Sequence, residues 1–442
     1  MEKEIVQLKT ALDSLTVYRT LVKDPVISKL YCLVEGICFN RDFSELINCY
    51  GEFYYTFVEN NLMNSLKSYI ISSILYQDNA FSRCCETVEF DFISKQLIEA
   101  VKNDLRCLEK VANITSKSIK QAMKKKYEKD CFEYDAISSL PEWDFDSNHI
   151  KEDNDIGDIF KTHNGWAECV KFLHNFHRKN GSGDFARFKG FIWERSEQGG
   201  FLKGVESPDP IRFSDLIGYE SERQIVIENT LKFLNGYPAN NLLLYGDRGT
   251  GKSSTVKALL NEYGHLGLRI IEMPKRYLSD FYHVLRIIKD RPQKFVVFID
   301  DLAFEDSEED YTALKAVLEG GLENKPDNLV IYATSNRKHL IKEKFSDRAG
   351  LMYGDKDDEV RASDTLQEKL SLADRFGITI TFSSPGKQKY LEIVDGLAER
   401  RGLNIDKDIL HREALKWEMW HNGLSPRTAR QFIDWIEGDY KK

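Results

Sequence analysis

"NLLLYGDRGTGKSSTVKALL" occupies residues 241–260 of this 442-residue chain, and its order of elements decides the fold of the region around it. The apolar run Leu242–Tyr245 is typical of a buried strand, and the residues after Gly251 have the apolar spacing of a helix. Between them, Gly246–Ser253 matches G-x-x-x-x-G-K-[ST] without a gap. A strand, a glycine-rich loop and a helix in this order predict a phosphate-binding loop on a parallel sheet.

Each residue type in this loop has a physical reason to be there. Glycines allow consecutive backbone N–H groups to point at phosphate oxygens, and the positive end of the following helix adds to the attraction. We expect Lys252 to reach the β- and γ-phosphates and the Ser253 hydroxyl to coordinate magnesium. The predicted phosphate-binding residues are Gly246, Asp247, Arg248, Gly249, Thr250, Gly251, Lys252, Ser253 and Ser254.

A second strand-like run, "KFVVFIDD" (294–301), ends in two acids. A carboxylate at the end of a buried strand is costly to desolvate unless it has a partner. In parallel α/β sheets, ligands sit at the carboxyl ends of the strands. We therefore expect Asp300 to hold the magnesium ion beside Ser253; the alternative is a solvated loop acid.

The pattern along the chain predicts an α/β protein with a helical region on each side of the core. Residues 1–203 are mostly helical in pattern, with an acidic surface segment at about 140–160. Strands alternate with helices over 204–383, which indicates βαβ units and a parallel sheet. Residues 384–442 predict three helices in a small separate bundle.

The overall composition argues against several classes of protein, including secreted, membrane-spanning and zinc-binding proteins. The net charge of -9 does not favour a general nucleic-acid-binding surface, although it leaves room for a local basic face. The charged N-terminal stretch does not read as a signal peptide, and no apolar run reaches the roughly 18 residues that a membrane span needs. The eight cysteines lack zinc-site spacing, and we expect them to be reduced thiols in a cytoplasmic protein.

Several further segments resemble those of the AAA+ ATPases. The stretch with "DRFG" is also similar to bacterial Holliday-junction branch-migration motors. From about Gly181 onward, the chain resembles an uncharacterised bacterial AAA+ family, one of the domain-of-unknown-function ATPases. The segments that carry these likenesses are "GSGDFARFKGFIW", "DLIGYESERQIVIENTLKFL", "ANNLLLYGDRGTGKSS", "FIDDLAFE", "ALKAVLEGGLE", "VIYATSNRKHL", "EKLSLADRFGITITF" and "GLSPRTARQF".

The resemblance implies an AAA+ core with a C-terminal helical lid that binds ATP and Mg²⁺ and hydrolyses the β–γ phosphoanhydride. Asp301 stands where this family usually has a glutamate that orients the attacking water, and Glu305 is its rival for that role. Asn336 would sense the γ-phosphate, with Thr334 and Ser335 as alternatives.

Three further roles follow from the same resemblance. Arg375 would act in trans on the nucleotide of a neighbouring subunit, which implies a homo-oligomer; the alternative is a structural arginine. Arg427, or Arg430 one turn along, would reach from the lid to the phosphates. Leu216, Ile217 and Tyr219 are candidates for the adenine pocket, and packing between subdomains is the alternative for them.

Two classes of function remain open from the sequence. The first is an ATPase that remodels a macromolecule, either protein or nucleic acid. The second is an ATP-gated loader or scaffold with slow hydrolysis, since Asp301 is one methylene shorter than the usual glutamate. The segment "MPKRYLSDF" (273–281) would grip a substrate or be a basic surface loop, and the motif likeness slightly favours DNA-associated work.

Overall fold

The computed structural model describes residues 2–39, 41–61, 65–126, 131–144, 159–160, 165–197, 199–302, 315, 318, 326–336, 375–421 and 423–440. These residues form two compact units, Met1–Arg187 (unit 1) and Phe188–Lys442 (unit 2).

Unit 1 is helical throughout its described part, as the apolar spacing predicted. In the sixth helix, residues three or four positions apart face the core, among them Val101, Leu105 and Leu108. Asp24 caps the second helix, since its Oδ1 accepts hydrogen bonds from the N–H groups of Val26 and Ile27. The helices are α1 (Glu2–Asp13), α2 (Pro25–Cys38), α3 (Phe43–Asn61), α4 (Leu66–Leu75), α5 (Ala80–Thr87), α6 (Lys95–Ala112), α7 (Ser116–Lys126), α8 (Cys131–Ser139), α9 (Val170–Asn180) and α10 (Asp184–Arg187).

Unit 2 is built on a seven-stranded sheet with the order β2-β1-β4-β5-β6-β3-β7. Neighbouring strands pair in parallel except for the antiparallel hairpin of β1 and β2. The fold class predicted from the sequence is therefore confirmed. The strands are β1 (Gly190–Ser196), β2 (Gly199–Gly204), β3 (Leu242–Gly246), β4 (Leu268–Glu272), β5 (Lys294–Ile299), β6 (Leu329–Ser335) and β7 (Ile378–Phe382).

Within the described part of unit 2, the helices fall into two groups. Three of them connect the strands: α11 (Glu220–Leu234), α12 (Lys252–Tyr263) and α13 (Phe281–Ile288). Three more follow β7 and share a core of their own, in which Tyr390, Leu410 and Phe432 are buried. This C-terminal group, called the lid below, consists of α14 (Lys387–Arg400), α15 (Lys407–Trp420) and α16 (Pro426–Tyr440).

The hairpin of β1 and β2 lies elsewhere than the sequence analysis expected. The sequence pattern predicted residues 1–203 as the N-terminal region, with the boundary near Gly204. In the structure, β1 pairs with β4, so the hairpin extends the sheet of unit 2, and the units divide between Arg187 and Phe188. Of the acidic segment at about 140–160, residues 145–158 lie outside the described residues.

Among the described residues, none of the helices combines the length and the apolar character needed to cross a bilayer.

A buried histidine gives unit 1 a pH-dependent stability. The Nδ1 atom of His177 lies 3.0 Å from the carbonyl oxygen of Gly181, which can only accept, so Nδ1 carries the proton. Phe81 and Phe176 contact the ring edge-on. Burial lowers the pKa of His177 to about 4. The folded chain therefore holds this imidazole in its neutral form over most of the acidic range.

We predict that the free energy of unfolding falls between pH 7 and pH 5 because of His177. Above its unfolded pKa of 6.5 the imidazole is neutral in both states, and below it the unfolded chain binds the proton first. The wild-type protein should lose about 2 kcal/mol more than the His177→Gln variant over this interval. Urea unfolding at both pH values measures this difference, and an equal loss in the two proteins would contradict the prediction.

Candidate active site

The loop between β3 and α12 has the backbone that the glycine pattern predicted. Gly246, Gly249 and Gly251 have φ values of 136°, 77° and 93°, in the region that favours glycine. A Cβ atom on Gly246 would lie 2.0 Å from the carbonyl oxygen of Phe382, at the end of β7. The loop therefore starts where two neighbouring strands leave no space for a side chain.

Lys252 begins α12 and points its ammonium group back into the loop. Its Nζ donates to the carbonyl oxygens of Gly246 (2.9 Å) and Asp247 (2.7 Å) and to Oδ1 of Asn336 (3.1 Å). Only 6% of Lys252 is exposed, and this burial lowers its pKa to about 8, while the carboxylates of Asp247, Asp301 and Asp300 act in the opposite direction. The site thus holds a cation that is poorly solvated and ready to bind an anion.

Asp300 lies at the end of β5, beside the start of α12, as predicted. Its Oδ1 accepts from the hydroxyls of Ser253 (2.6 Å) and Thr334 (2.5 Å) and from the N–H of Asp301 (3.1 Å). Hydroxyl and carboxylate oxygens are the hard donors that Mg²⁺ prefers. The two predicted metal ligands therefore lie together, and Thr334 is a further member that the sequence analysis considered only as a sensor.

Asn336 follows β6 and connects the lysine to the second acid. Its Oδ1 accepts from Lys252, and its Nδ2 donates to Oδ1 of Asp301 at 2.6 Å. Asp301 has a φ of 52°, a left-handed conformation that is uncommon for a residue other than glycine. Its Oδ2 lies 3.8 Å from Nζ of Lys275. Its rival Glu305 lies outside the described residues.

A cavity of about 450 Å³ opens in front of these groups. Residues 248–254 of the loop and of the start of α12, together with Asp300, Asp301, Thr334 and Asn336, line it; Gly246 and Asp247 do not. The lid contributes the two candidate arginines, Arg427 and Arg430, so both of them lie at the cavity. The apolar part is formed by Leu216, Ile217, Ile393 and Leu397. A lining that combines these polar and apolar side chains suits a ligand with both anionic and apolar groups.

Tyr219 does not line this cavity, although it was predicted as a candidate for the adenine pocket. Its ring is 3% exposed and stacks on Phe382 at 5.4 Å between ring centroids. Its hydroxyl donates to the carbonyl oxygen of Ser383 at 2.5 Å, and burial raises its pKa to about 12. The structure thus gives Tyr219 the packing position that was the alternative.

Arg223, in α11, lines the cavity and was not identified from the sequence. Its guanidinium is mostly buried and donates to the carbonyl oxygens of Leu216 (2.9 Å) and Gly218. These bonds hold the segment that carries Ile217 at the apolar part of the cavity. The spacing between "DLIGY" and Arg223 was visible in the sequence, but nothing in that spacing indicated a bond back to the segment.

The lid contacts the phosphate-binding loop directly. The backbone N–H of Arg427 donates to the carbonyl oxygen of Gly249 at 3.2 Å. The linker between β7 and the lid is bound as well, because Oδ2 of Asp247 accepts from the N–H of Ser384 at 2.7 Å. This bond lowers the pKa of Asp247. The loop is therefore hydrogen-bonded both to the linker that precedes the lid and to the start of α16.

Arg375 lies away from this site. It precedes β7, and at Gly377 a Cβ atom would lie 2.4 Å from Oδ1 of Asn240, which places this end of β7 at the amino edge of the sheet. The phosphate-binding loop leaves the carboxyl edge, about 13 Å away along a five-residue strand. Arg375 therefore does not line the cavity of its own chain.

We predict that Gly246→Ala destabilises unit 2 more than Gly251→Ala does. Both glycines have positive φ, but a Cβ atom on Gly251 has nothing within 4 Å, whereas on Gly246 it meets backbone. The extra loss should be about 2 kcal/mol, measured by thermal or urea unfolding. Equal stabilities of the two variants would show that β7 moves aside freely.

Comparison with known proteins identifies a family whose model matches this chain. Residues 186–440, more than half of the chain and almost all of unit 2, match the family described as "Protein of unknown function (DUF815)". A probable spastin homolog of Brugia malayi is 24% identical over 31% of this chain and 36% of its own length. The replication factor C large subunit of Nanoarchaeum equitans is 32% identical over 17% of this chain and 18% of its own length.

Among solved structures, the RuvB Holliday junction branch migration motor of Thermotoga maritima is similar at 16% identity, with a TM-score of 0.36. The likeness covers 52% of this chain and 65% of that one. The chain spans about a third or less of the length of the two curated relatives. From the extent of the family match, the chain belongs to the family described as "Protein of unknown function (DUF815)".

Proposed function

We propose that unit 2 binds ATP with Mg²⁺ and hydrolyses the β–γ phosphoanhydride, and that this cycle remodels a macromolecule. The observation that carries the proposal is the convergence on one cavity of a buried ammonium, a hydroxyl–carboxylate pair and an amide–carboxylate pair. They come from three neighbouring strand ends and the helix that follows one of them. The polar groups of the lining would bind the triphosphate, and its apolar groups would contact the base.

We propose residues of this chain that bind the phosphates, the metal ion and the base of the nucleotide. Backbone N–H groups of the loop and the ammonium of Lys252 would bind the phosphate oxygens, and Ile217 would contact the base. Ser253 and Asp300 would hold Mg²⁺, which neutralises charge on the β- and γ-phosphates when bound. Arg427 or Arg430 would reach the phosphates from the lid.

Hydrolysis requires a group that orients water opposite the leaving phosphate. The Asp301 carboxylate is half exposed and accepts a hydrogen bond from Asn336, and we propose that it accepts another from such a water. Asn336 would contact the γ-phosphate on its other side. Glu305 remains the alternative to Asp301 in the same role.

The position of Arg375 supports a homo-oligomer as the active form. Because Arg375 lies a strand length from its own cavity, any phosphate on which it acts would belong to a neighbouring subunit; a structural arginine is the alternative. There it would neutralise charge that develops in the transition state. We propose that Arg375 acts in this way, in trans, in a cytoplasmic assembly.

A second candidate function is an ATP-gated loader or scaffold that hydrolyses slowly. It is favoured by the short side chain of Asp301 and by the contacts that tie the lid and its linker to the loop through Gly249 and Asp247. Steady-state ATP turnover separates the two. Turnover that Lys252→Ala abolishes and the matched control Lys257→Ala retains supports the ATPase, whereas tight binding with negligible turnover supports the scaffold.

We predict that ATP affinity falls as the pH rises above 8. Lys252 has a pKa of about 8 in the free protein, so its charge is present below that pH and is lost above it. The Kd for ATP should be nearly constant from pH 7 to 8 and then rise by up to about tenfold per pH unit. Fluorescence titration measures this, and Lys252→Arg should remove the dependence. A flat profile in the wild type would contradict the role of Lys252.

We predict that two inactive variants complement each other when mixed. Arg375→Ala should lower turnover by about 10³-fold or more, and Lys252→Ala should abolish it. In a mixed assembly, some sites combine an intact Lys252 with an intact Arg375 from the neighbour. Turnover should recover to at most about a quarter of the wild-type rate, as random pairing across heterologous interfaces gives. A mixture no more active than its parts would argue against action in trans.

A further inference from the structure

Helices α2 and α3 of unit 1 bring two cysteines into contact. The Sγ atoms of Cys32 and Cys49 lie 3.6 Å apart. One helical turn along, α2 presents Gly36 to α3, where a Cβ atom would lie 3.0 Å from Cδ2 of Leu46. The two backbones therefore approach closely beside the thiols, and a small movement of the side chains brings the sulfurs to bonding distance.

A guanidinium group lies against both sulfurs. Nη1 of Arg41 donates to Sγ of Cys32 at 3.3 Å and to Sγ of Cys49 at 3.6 Å. Its position is held, because Nη2 donates to Glu35 at 3.0 Å and the ammonium of Lys126 donates to the Arg41 carbonyl oxygen at 2.7 Å. A fixed positive charge beside a sulfur stabilises the thiolate, which is the form that attacks oxidants.

The two thiols differ in access. Cys32 is half-buried, whereas Cys49 is only 9% exposed, and burial raises the pKa of Cys49. An oxidant from solvent therefore meets Cys32 first. Cys49 is then in place to attack the oxidised sulfur from within the helix pair.

We propose that Cys32 and Cys49 form a reversible dithiol–disulfide site that is oxidised by hydroperoxides. This site lies in unit 1 and is independent of the nucleotide site. Its oxidised form would join α2 to α3 covalently. The arrangement assigns the first attack to Cys32, the second to Cys49, and the stabilisation of the thiolate to Arg41.

The reaction balances in two steps. The Cys32 thiolate attacks the peroxide, so an S–O bond forms, the O–O bond breaks, and the departing oxygen takes a proton to leave as water or an alcohol. The sulfur of Cys49 then attacks the sulfenic acid. An S–S bond forms, the S–O bond breaks, and water leaves with the thiol proton. The two thiols lose two electrons in total, which reduce one peroxide.

The test uses the full-length reduced protein treated with hydrogen peroxide, blocked with N-ethylmaleimide and digested for mass spectrometry. We expect a linked Cys32–Cys49 peptide pair that dithiothreitol reverses. The matched control Cys84→Ser, at another half-buried thiol, should leave it unchanged. Arg41→Gln should slow its formation about tenfold.

Two results would overturn the proposal. One is that Cys32 and Cys49 are recovered unlinked, as free thiols or sulfinic acids, after oxidation of the intact protein. The other is that Cys38 or Cys84 reacts as fast as Cys32, or that Arg41→Gln forms the link at the wild-type rate, since neither fits a site built around Arg41.

Discussion

The rest of the candidate site depends on one buried charge, the ammonium group of Lys252. Only 6% of this residue is exposed, so neighbouring polar groups must take the place of water. Two carbonyl oxygens of its own loop and the amide oxygen of Asn336 bind the ammonium group. Loss of water lowers its pKa to about 8 because backbone dipoles replace only part of the hydration. A phosphate anion would replace the remaining lost hydration of the ammonium group. Burial of Lys252 therefore favours the binding of an anionic ligand.

The order of the strands brings the other side chains of the candidate site next to Lys252. Because β6 lies between β5 and β3, the ends of these three strands meet at one edge of the sheet. Asp300 thereby accepts a hydrogen bond from Ser253, and Asn336 bonds both Lys252 and Asp301. Asp247 and Tyr219 in turn bind the linker that leads to the lid, so the loop and the lid share one hydrogen-bonded network.

Local spacing was enough to predict the centre of this site. The loop from Gly246 to Ser254 and the acid at the end of β5 are encoded in short stretches, where residue type and position already imply the chemistry. The contacts of Thr334 and Arg223 were not predictable, and the sequence did not decide between pocket and packing for Tyr219, because each depends on which strands are neighbours or on how the lid packs. Only a weak sequence signal indicated strand β1, namely the alternation of Phe191 and Trp193, which are both buried. The pairing of β1 with β4 cannot be predicted from the sequence, because it depends on the tertiary fold.

The central claim is that a triphosphate and its metal are held between Lys252 and the Ser253–Asp300 pair. Equilibrium binding of ATP, titrated against Mg²⁺ in the wild type and in Asp300→Asn, tests it most directly. The account predicts that Mg²⁺ tightens ATP binding to the wild type, and that the variant keeps its Mg²⁺-free affinity but loses the enhancement. An equal enhancement in both proteins, or no ATP binding by the folded wild type, would contradict it.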